Sequence, residues 1–285
     1  MVVTKTLKPK RELATFKPTQ SSYVRCLFYG DSGVGKTQLC GSAVDLEEMK
    51  PVLLCDADRG LMTVTGYDLE CLELTGLDHA FEVKRFIAAN PGRYKTVIFD
   101  GLQSLYNLVM EERLRLVMQT PGHDPFVPWR EDWMHATFRM RSLLTALKKL
   151  PINLLCTTVF LTEKDDSTGI RDTLPALPGK MAREVAQIFD IVGYLYVRAK
   201  RQELVHMLQL QPFRHVTAKN RSPYSHLMPP VMTEPTMPGI YLAALFGDMS
   251  LLGEQKGGKS EVESGVLESE STVQQSKENS TDGTS

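Results

Sequence analysis

Several features that would place the chain in other classes are missing from its sequence. No apolar run approaches the roughly 18 residues of a membrane-spanning helix, and the basic amino terminus lacks the apolar stretch of a secretory signal. The five cysteines include no C-x-x-C pair, so we expect reduced thiols in the core and neither disulfides nor a zinc site. These absences predict a cytoplasmic protein with no membrane partner.

An excess of charge of one sign is missing as well. Lysine and arginine total 33 and the acidic residues total 34, so no global charge steers the chain to nucleic acid. The two ends differ from this balance. Residues 1–21 predict a basic flexible arm, and residues 253–285, which have almost no large apolar side chains, predict an acidic disordered tail. A single domain is expected between them, over residues 22–252.

Strand-like and helix-like patterns alternate through this domain. The alternation predicts an α/β fold in which helices flank a mainly parallel central sheet, with a late antiparallel hairpin at one edge. The predicted strands are residues 23–29, 51–55, 70–74, 95–99, 152–161, 190–198 and 203–210. The predicted helices are residues 36–48, 78–89 with Asp78 as the cap, 102–118 and 130–149.

The most specific motif is GDSGVGKT, which fits G-x-x-x-x-G-K-[ST] between a predicted strand and a predicted helix. Its glycines let successive backbone amides turn towards phosphate oxygens, and the following helix adds its positive end. Lys36 is expected to reach the β and γ phosphates, and the Thr37 hydroxyl to ligate magnesium. The predicted residues of this nucleoside triphosphate site are Gly30, Asp31, Ser32, Gly33, Val34, Gly35, Lys36 and Thr37.

Two apolar strands end in an acid that is suited to holding the magnesium shell, Asp56 and Asp100. The first would indicate the kinase and GTPase branch, and the second an ATPase branch in which another strand is interposed. The stretch between Lys36 and Asp100 has room for that strand, so we assign Asp100 to magnesium. The alternative for Asp100 is a cap on the helix that follows.

This assignment leaves the segment Asp56-Ala57-Asp58 for another task. We expect it to follow the strand beside the phosphate loop, where an acid can orient or deprotonate the attacking water. Asp58 is the candidate. The alternative is a solvated loop carboxylate that pairs with Arg59.

Together, the phosphate loop, Asp56-Ala57-Asp58, the strand that ends at Asp100 and the strand that ends in Thr157-Thr158 resemble the RecA-like P-loop ATPases. The nearer likeness is to phage nucleotide-binding proteins of the RecA-like single-strand annealing group, the fourth Sak class. It covers roughly residues 22–250. Ala218-Lys219-Asn220-Arg221 is similar to the Lys-Asn-Arg motif of bacterial RadA, but Ser222-Pro223 follows it here in place of Phe-Gly.

The resemblance implies a bound ATP and Mg²⁺, slow or DNA-stimulated ATP hydrolysis, and self-association into a ring or filament. It also implies action on single-stranded DNA in recombination, annealing or replication, with a single-strand-binding protein as a further partner and a host cytoplasm as the location. Thr157 or Thr158 would be a polar sensor, with Thr158 the catalytic candidate. Lys219 and Arg221 would complete a neighbouring subunit's site in trans, and their alternative is a solvated pair at the sheet rim.

Other functions remain open. A Ras-like GTPase would share the phosphate loop, but Glu163 stands where that family reads guanine with Asn. A small-molecule kinase would carry arginines in a lid, and residues 120–128 have none. A nucleotide-gated regulatory protein with little turnover would suit Asp58, which is one methylene shorter than the Glu of RecA. For DNA contacts, the candidate stacking rings are Phe213 and Tyr224. The candidate basic groups are the amino-terminal arm, Arg198, Lys200, Arg201, Arg214, His215, Lys219 and Arg221. The alternative for these basic groups is a solvated surface.

Overall fold

The computed structural model describes residues 22–252 apart from residues 119, 123, 125, 165–168, 201–202 and 214. The predicted arm and tail, and the bases Arg201 and Arg214, lie outside the described residues. The strands are β1 (Arg25–Gly30), β2 (Val52–Asp56), β3 (Glu70–Glu73), β4 (Thr96–Asp100), β5 (Asn153–Thr158), β6 (Phe160–Lys164), β7 (Arg171–Pro175), β8 (Ile191–Lys200), β9 (Glu203–Gln209), β10 (Lys219–Asn220) and β11 (Val231–Thr233). The α-helices are α1 (Lys36–Gly41), α2 (Leu77–Ala89), α3 (Leu102–Val117), α4 (Arg130–Lys148), α5 (Met181–Ile188) and α6 (Met237–Phe246).

One large sheet organises the described residues, in the strand order β3-β2-β4-β5-β1-β8-β9-β11, with β10 also paired to β8. The pairs from β3 to β8 are parallel, whereas β9 and β10 run antiparallel to β8, and β11 antiparallel to β9. A separate antiparallel hairpin is formed by β6 and β7. The predicted late antiparallel hairpin is β8 and β9. The predicted fold class, a mainly parallel sheet of RecA-like type with this hairpin, is therefore confirmed.

Helices cover both faces of the sheet, as the continuous apolar runs of the parallel strands require. Successive strand residues point to opposite faces, so Leu27 and Tyr29 of β1 enter one apolar cluster and Cys26 and Phe28 enter the other. The first cluster is completed by α2–α5 and the second by α1 and α6. This burial fixes the strand ends, and with them the loops that carry the candidate site.

The predicted helix over residues 36–48 is wrong beyond residue 41. Two 3₁₀ turns, Ser42–Asp45 and Glu47–Met49, follow α1. The Ser42 hydroxyl donates to the Leu39 carbonyl and accepts from the Met237 amide of α6. A contact 195 residues away in the chain thus helps to end the helix.

Two other elements differ clearly from the sequence prediction. Gly76, not Asp78, precedes α2, and Asp78 instead pairs with Arg139 of α4 at 2.6 Å. The strand predicted over residues 152–161 divides at Val159 into β5 and β6.

All five cysteines are free, and Cys71 is the exposed one. Of the helices in the described part of the chain, none has the length and apolar character that crossing a bilayer would demand.

Candidate nucleotide-binding site

The phosphate loop joins the end of β1 to the start of α1 at the carboxyl edge of the sheet. Gly33 and Gly35 have φ values of 79° and 87°, in the left-handed region that favours glycine. Gly30 is needed for another reason, because a Cβ there would lie 2.0 Å from the Leu195 carbonyl oxygen of β8. The glycine spacing therefore follows from the backbone path and from the close approach of β8.

Lys36 is folded over this loop. Its ammonium donates to the carbonyl oxygens of Gly30 at 3.2 Å and Asp31 at 2.6 Å. Burial lowers the pKa of Lys36, and the carboxylates of Asp100 and Asp58 act in the opposite direction. The ammonium therefore lies against the loop carbonyls, and its role at the phosphates stays a prediction.

Asp100 is the centre of a small hydrogen-bonded group at the end of β4. The Thr37 hydroxyl donates to Asp100 Oδ2 at 2.8 Å, and the Thr157 hydroxyl donates to Oδ1. The Gly101 amide in turn donates to the Thr157 hydroxyl at 2.9 Å. Burial raises the pKa of Asp100, and the two hydroxyl donors counter that rise. The loop threonine and the strand-end acid are therefore in direct contact.

Asp56 has a different set of partners. Its Oδ1 accepts the backbone amides of Asp58 and Arg59, each at 2.9 Å, so the carboxylate braces the turn after β2. Burial raises the pKa of Asp56, and these amide donors lower it. The strand order adds a second distinction, because β5 lies between β1 and β4. This interposed strand follows Asp100 in the chain, so it does not come from the stretch between Lys36 and Asp100 where the sequence argument placed it.

The expectation that Asp58 follows the strand beside the phosphate loop is wrong, because β5 and β4 separate β2 from β1. Asp58 nevertheless reaches the site. A Cβ on Gly101 would lie 2.3 Å from Asp58 Oδ1, so the Asp58 carboxylate lies directly over the residue after Asp100. The Arg59 guanidinium forms its ion pair with Glu73, at 2.8 Å, and not with Asp58.

Thr157 and Thr158 are separated by the alternation of β5. The Thr158 hydroxyl donates to the Ala176 carbonyl at 3.3 Å, whereas Thr157 contacts Asp100. Both side chains are buried. The geometry gives the catalytic assignment of Thr158 no support, and Thr157 is the threonine that belongs to the Asp100 group.

Lys219 and Arg221 lie away from this group. Lys219 pairs with Val192 near the start of β8, whereas the phosphate loop follows the end of the parallel strand β1. The Lys219 ammonium donates to the Ala186 carbonyl at 2.5 Å, and burial together with the charge of Arg221 lowers its pKa to about 8. Neither base completes the site of its own chain, and the trans role stays a prediction.

Sequence reasoning missed a contact between the phosphate loop and β9. His206 Nδ1 lies 3.2 Å from the Val34 carbonyl oxygen, and the His206 amide donates to Glu234 Oε1 at 2.7 Å. Beside them is a cavity of about 350 Å³ that Gln38 and Tyr67 also line. No local signal links residues that lie 172 positions apart, and only the pairing of β8 with β9 brings them together.

Two solved structures are similar to the chain at low sequence identity. A KaiC-like protein of Pyrococcus horikoshii is 16% identical, with a TM-score of 0.39, and the match covers 67% of this chain and 79% of that one. The flagellar accessory protein FlaH of Methanocaldococcus jannaschii is 11% identical, with a TM-score of 0.43, and the match covers 76% and 88%. No curated protein matches. The model of the AAA domain family AAA_24 matches residues 22–222, which include the phosphate loop, Asp58, Asp100 and Thr157, and the chain therefore belongs to this family.

Proposed function

We propose that the protein binds ATP with Mg²⁺ at residues 30–37 and hydrolyses it, and that it acts on single-stranded DNA in phage recombination, annealing or replication. The observation that carries the nucleotide part is the 2.8 Å contact between Thr37 Oγ1 and Asp100 Oδ2. In P-loop proteins a hydroxyl of the loop and an acid at a strand end hold the metal that bridges the phosphates.

The donor set fits this metal. Thr37 and Asp100 offer oxygen atoms, which are the ligands that Mg²⁺ prefers, and Mg²⁺ is commonly held by only one or two carboxylates. When bound, the ion would neutralise charge on the phosphate oxygens. The chain's own residues do the rest: Lys36 supplies a cation beside the phosphates, and Asp58 orients or deprotonates the attacking water.

The preference for ATP over GTP is part of the proposal. Glu163, which takes the place of the guanine-reading Asn, lies on β6, and its carboxylate is 3.3 Å from Arg183. An Asn amide both donates and accepts, whereas an ionised carboxylate only accepts and cannot supply the donor. We expect ATP to displace a labelled nucleotide at lower concentrations than GTP. A clear preference for GTP would favour the Ras-like alternative.

Assembly into a ring or filament is proposed because Lys219 and Arg221 lie far from their own phosphate loop along β8. Cations supplied in trans stabilise charge on the γ phosphate only after subunits assemble. Replacing both bases with Ala should preserve ATP binding and remove the part of turnover that depends on protein concentration. Mixing that variant with Asp58→Asn should restore some turnover, because some interfaces then have two intact halves. Turnover that is independent of concentration would contradict the trans arrangement.

A regulatory protein with little turnover is the second candidate. The exposed and short Asp58 favours it, because a carboxylate one methylene shorter than that of Glu reaches less far towards the attacking water. One experiment separates the two functions. ATP hydrolysis is measured with Mg²⁺ or EDTA, with and without single-stranded DNA, beside a nucleotide-binding assay. Hydrolysis that needs Mg²⁺ and rises with DNA supports the ATPase, whereas tight binding without hydrolysis in either case supports the regulator. A single-strand-binding protein, the remaining proposed partner, is tested by adding it to the DNA-containing reaction.

A further inference from the structure

One face of β8 extends from the apolar core into solvent. Alternate residues of a strand share a face, and on this face Val192 is buried in the core and Tyr194 packs against it. Farther along, Tyr196 is half-buried, and Arg198 and Lys200 are exposed. We refer to Tyr194, Tyr196, Arg198 and Lys200 as the β8 stripe. The opposite face of this part of β8 packs on the core with α1 and α6, through Leu195 and Val197.

The two rings of the stripe are held in place. Tyr194 and Tyr196 stack with their centroids 5.6 Å apart and their planes at 19°. Tyr194 is itself fixed by Tyr29, at 5.2 Å, and by an edge contact from Phe160 at 6.1 Å. Tyr196 is thus supported by one ring of the core and presents the outer end of an aromatic stack.

The residues of β9 that lie opposite β8 show which charges surround the β8 stripe. Tyr196 lies opposite Met207 and Arg198 opposite Val205, whereas Lys200 lies opposite Glu203. Within the described residues Arg198 forms no ion pair, and Glu203 is the acid of this face of the hairpin. Burial raises the pKa of Tyr196 and the charge of Arg198 acts against that rise. Arg198 is the next residue after Tyr196 on this face of β8.

We propose that the β8 stripe binds single-stranded DNA, with a base stacked on Tyr196 and a phosphate held by Arg198. Stacking on an aromatic side chain next to a cation is how single strands are bound without sequence preference. Alternate residues on a strand are about 6.6 Å apart, so one nucleotide reaches from the ring to the guanidinium. This inference rests on the proposed function, in which single-stranded DNA is the partner, and it assigns that partner a surface.

The position of the stripe also suggests how DNA and nucleotide binding communicate. Tyr194 lies opposite Tyr29 in the register of β1 and β8, and Tyr29 directly precedes Gly30, so the inner ring of the stripe lies beside the start of the phosphate loop. Gly30 contacts β8 at Leu195, the residue between the two tyrosines. Because binding linkage is reciprocal, ATP should change the affinity for DNA by the same factor as DNA changes the affinity for ATP.

The test is fluorescence anisotropy of a labelled oligothymidylate with the full chain. Tyr196→Ala should weaken binding about 5- to 150-fold, which corresponds to the loss of one stacked base, and Tyr196→Phe, which keeps the ring, should retain affinity. Arg198→Ala should lower the slope of log affinity against log salt by about 0.7, the value for one phosphate contact on a single strand.

Matched controls lie elsewhere on the surface. Phe126→Ala removes a ring that is 88% exposed between α3 and α4, and Arg85→Ala removes an exposed cation of α2. Neither should change binding. Each variant is also tested for nucleotide affinity, which a folded protein with an intact phosphate loop retains.

The outcomes separate this inference from the proposed function. If the wild-type chain binds the oligonucleotide and Tyr196→Ala and Arg198→Ala bind equally well, the stripe is not the DNA surface, although DNA remains the partner. A loss on Phe126→Ala alone moves the surface to the loop before α4 and overturns the assignment. A wild-type chain that binds ATP and no single-stranded DNA overturns both.

Discussion

Thr157→Val tests whether the contact with Asp100 is functional. The variant keeps the size and β-branching of the side chain, and it removes the hydroxyl that donates to Asp100 and accepts from the Gly101 amide. A hydrogen bond to a charged group is worth about 1.5 to 3 kcal/mol, and an unsatisfied buried amide adds to the loss. We expect the free energy of unfolding to fall by about 3 kcal/mol and ATP turnover to fall with it.

Thr158→Val is the matched control. Its hydroxyl makes one longer bond to a neutral carbonyl, at 3.3 Å, so we expect a loss of about 1 kcal/mol and little change in turnover per folded molecule. Urea unfolding followed by circular dichroism measures the difference. With a slope of about 3 kcal/mol per molar urea, the midpoint should fall by about 1 M for Thr157→Val and by about 0.3 M for Thr158→Val.

Turnover decides the functional part. It is measured at a temperature where both variants are fully folded, with ATP in excess of its dissociation constant. The reasoning fails if Thr158→Val loses turnover while Thr157→Val keeps it, because the sensor would then act from the Ala176 side. Equal midpoints for the two variants would contradict the stability argument.

Three further variants address the other predicted residues. Lys36→Ala should lose most triphosphate affinity and keep its unfolding midpoint, because within the described residues its ammonium hydrogen-bonds to loop carbonyls at the surface of the site. Unchanged nucleotide affinity would refute the phosphate-loop assignment. Asp100→Asn should abolish Mg²⁺-dependent turnover, whereas Asp56→Asn should mainly lower stability, and the reverse order would indicate the kinase and GTPase branch. Burial and the charge of Arg221 lower the pKa of Lys219 to about 8, so the trans-dependent part of turnover should decrease as the pH rises through 8. Lys219→Arg, which stays charged, should keep that part at pH 9, and an identical alkaline loss would argue against the trans cation.

The core of the fold could be predicted because its signals are local. The phosphate loop is a contiguous motif, and β1, β4 and β5 are apolar runs of the length of buried strands. The end of α1 could not be predicted, because it is linked to the Met237 amide of α6. The helix α6 itself was missed because it is apolar on all sides and shows no helical period.

The choice between Thr157 and Thr158 shows why the candidate site was only partly predictable. Both faces of β5 are buried, so alternation of apolar and polar residues cannot tell which threonine faces which layer. The register decides it: Phe99 lies opposite Cys156, which brings Asp100 and Thr157 level at the carboxyl edge. The register between strands that are distant in the chain depends on how the whole sheet packs. It therefore cannot be predicted from local patterns in a single sequence.

The two strand-end acids, Asp56 and Asp100, show how one residue type takes two roles at the same edge of the sheet. They are direct neighbours in the register of β2 and β4, and burial raises the pKa of both. Asp56 is satisfied by backbone amides of its own turn, which no nucleotide would displace. The partners of Asp100 are two side-chain hydroxyls, and hydroxyls can rotate to accept instead of donate. Thr37 can therefore release Asp100 and turn its lone pairs to a cation, whereas the amides on Asp56 cannot. Of the two carboxylates, Asp100 alone can exchange its partners for a metal without unfolding the loop that positions it.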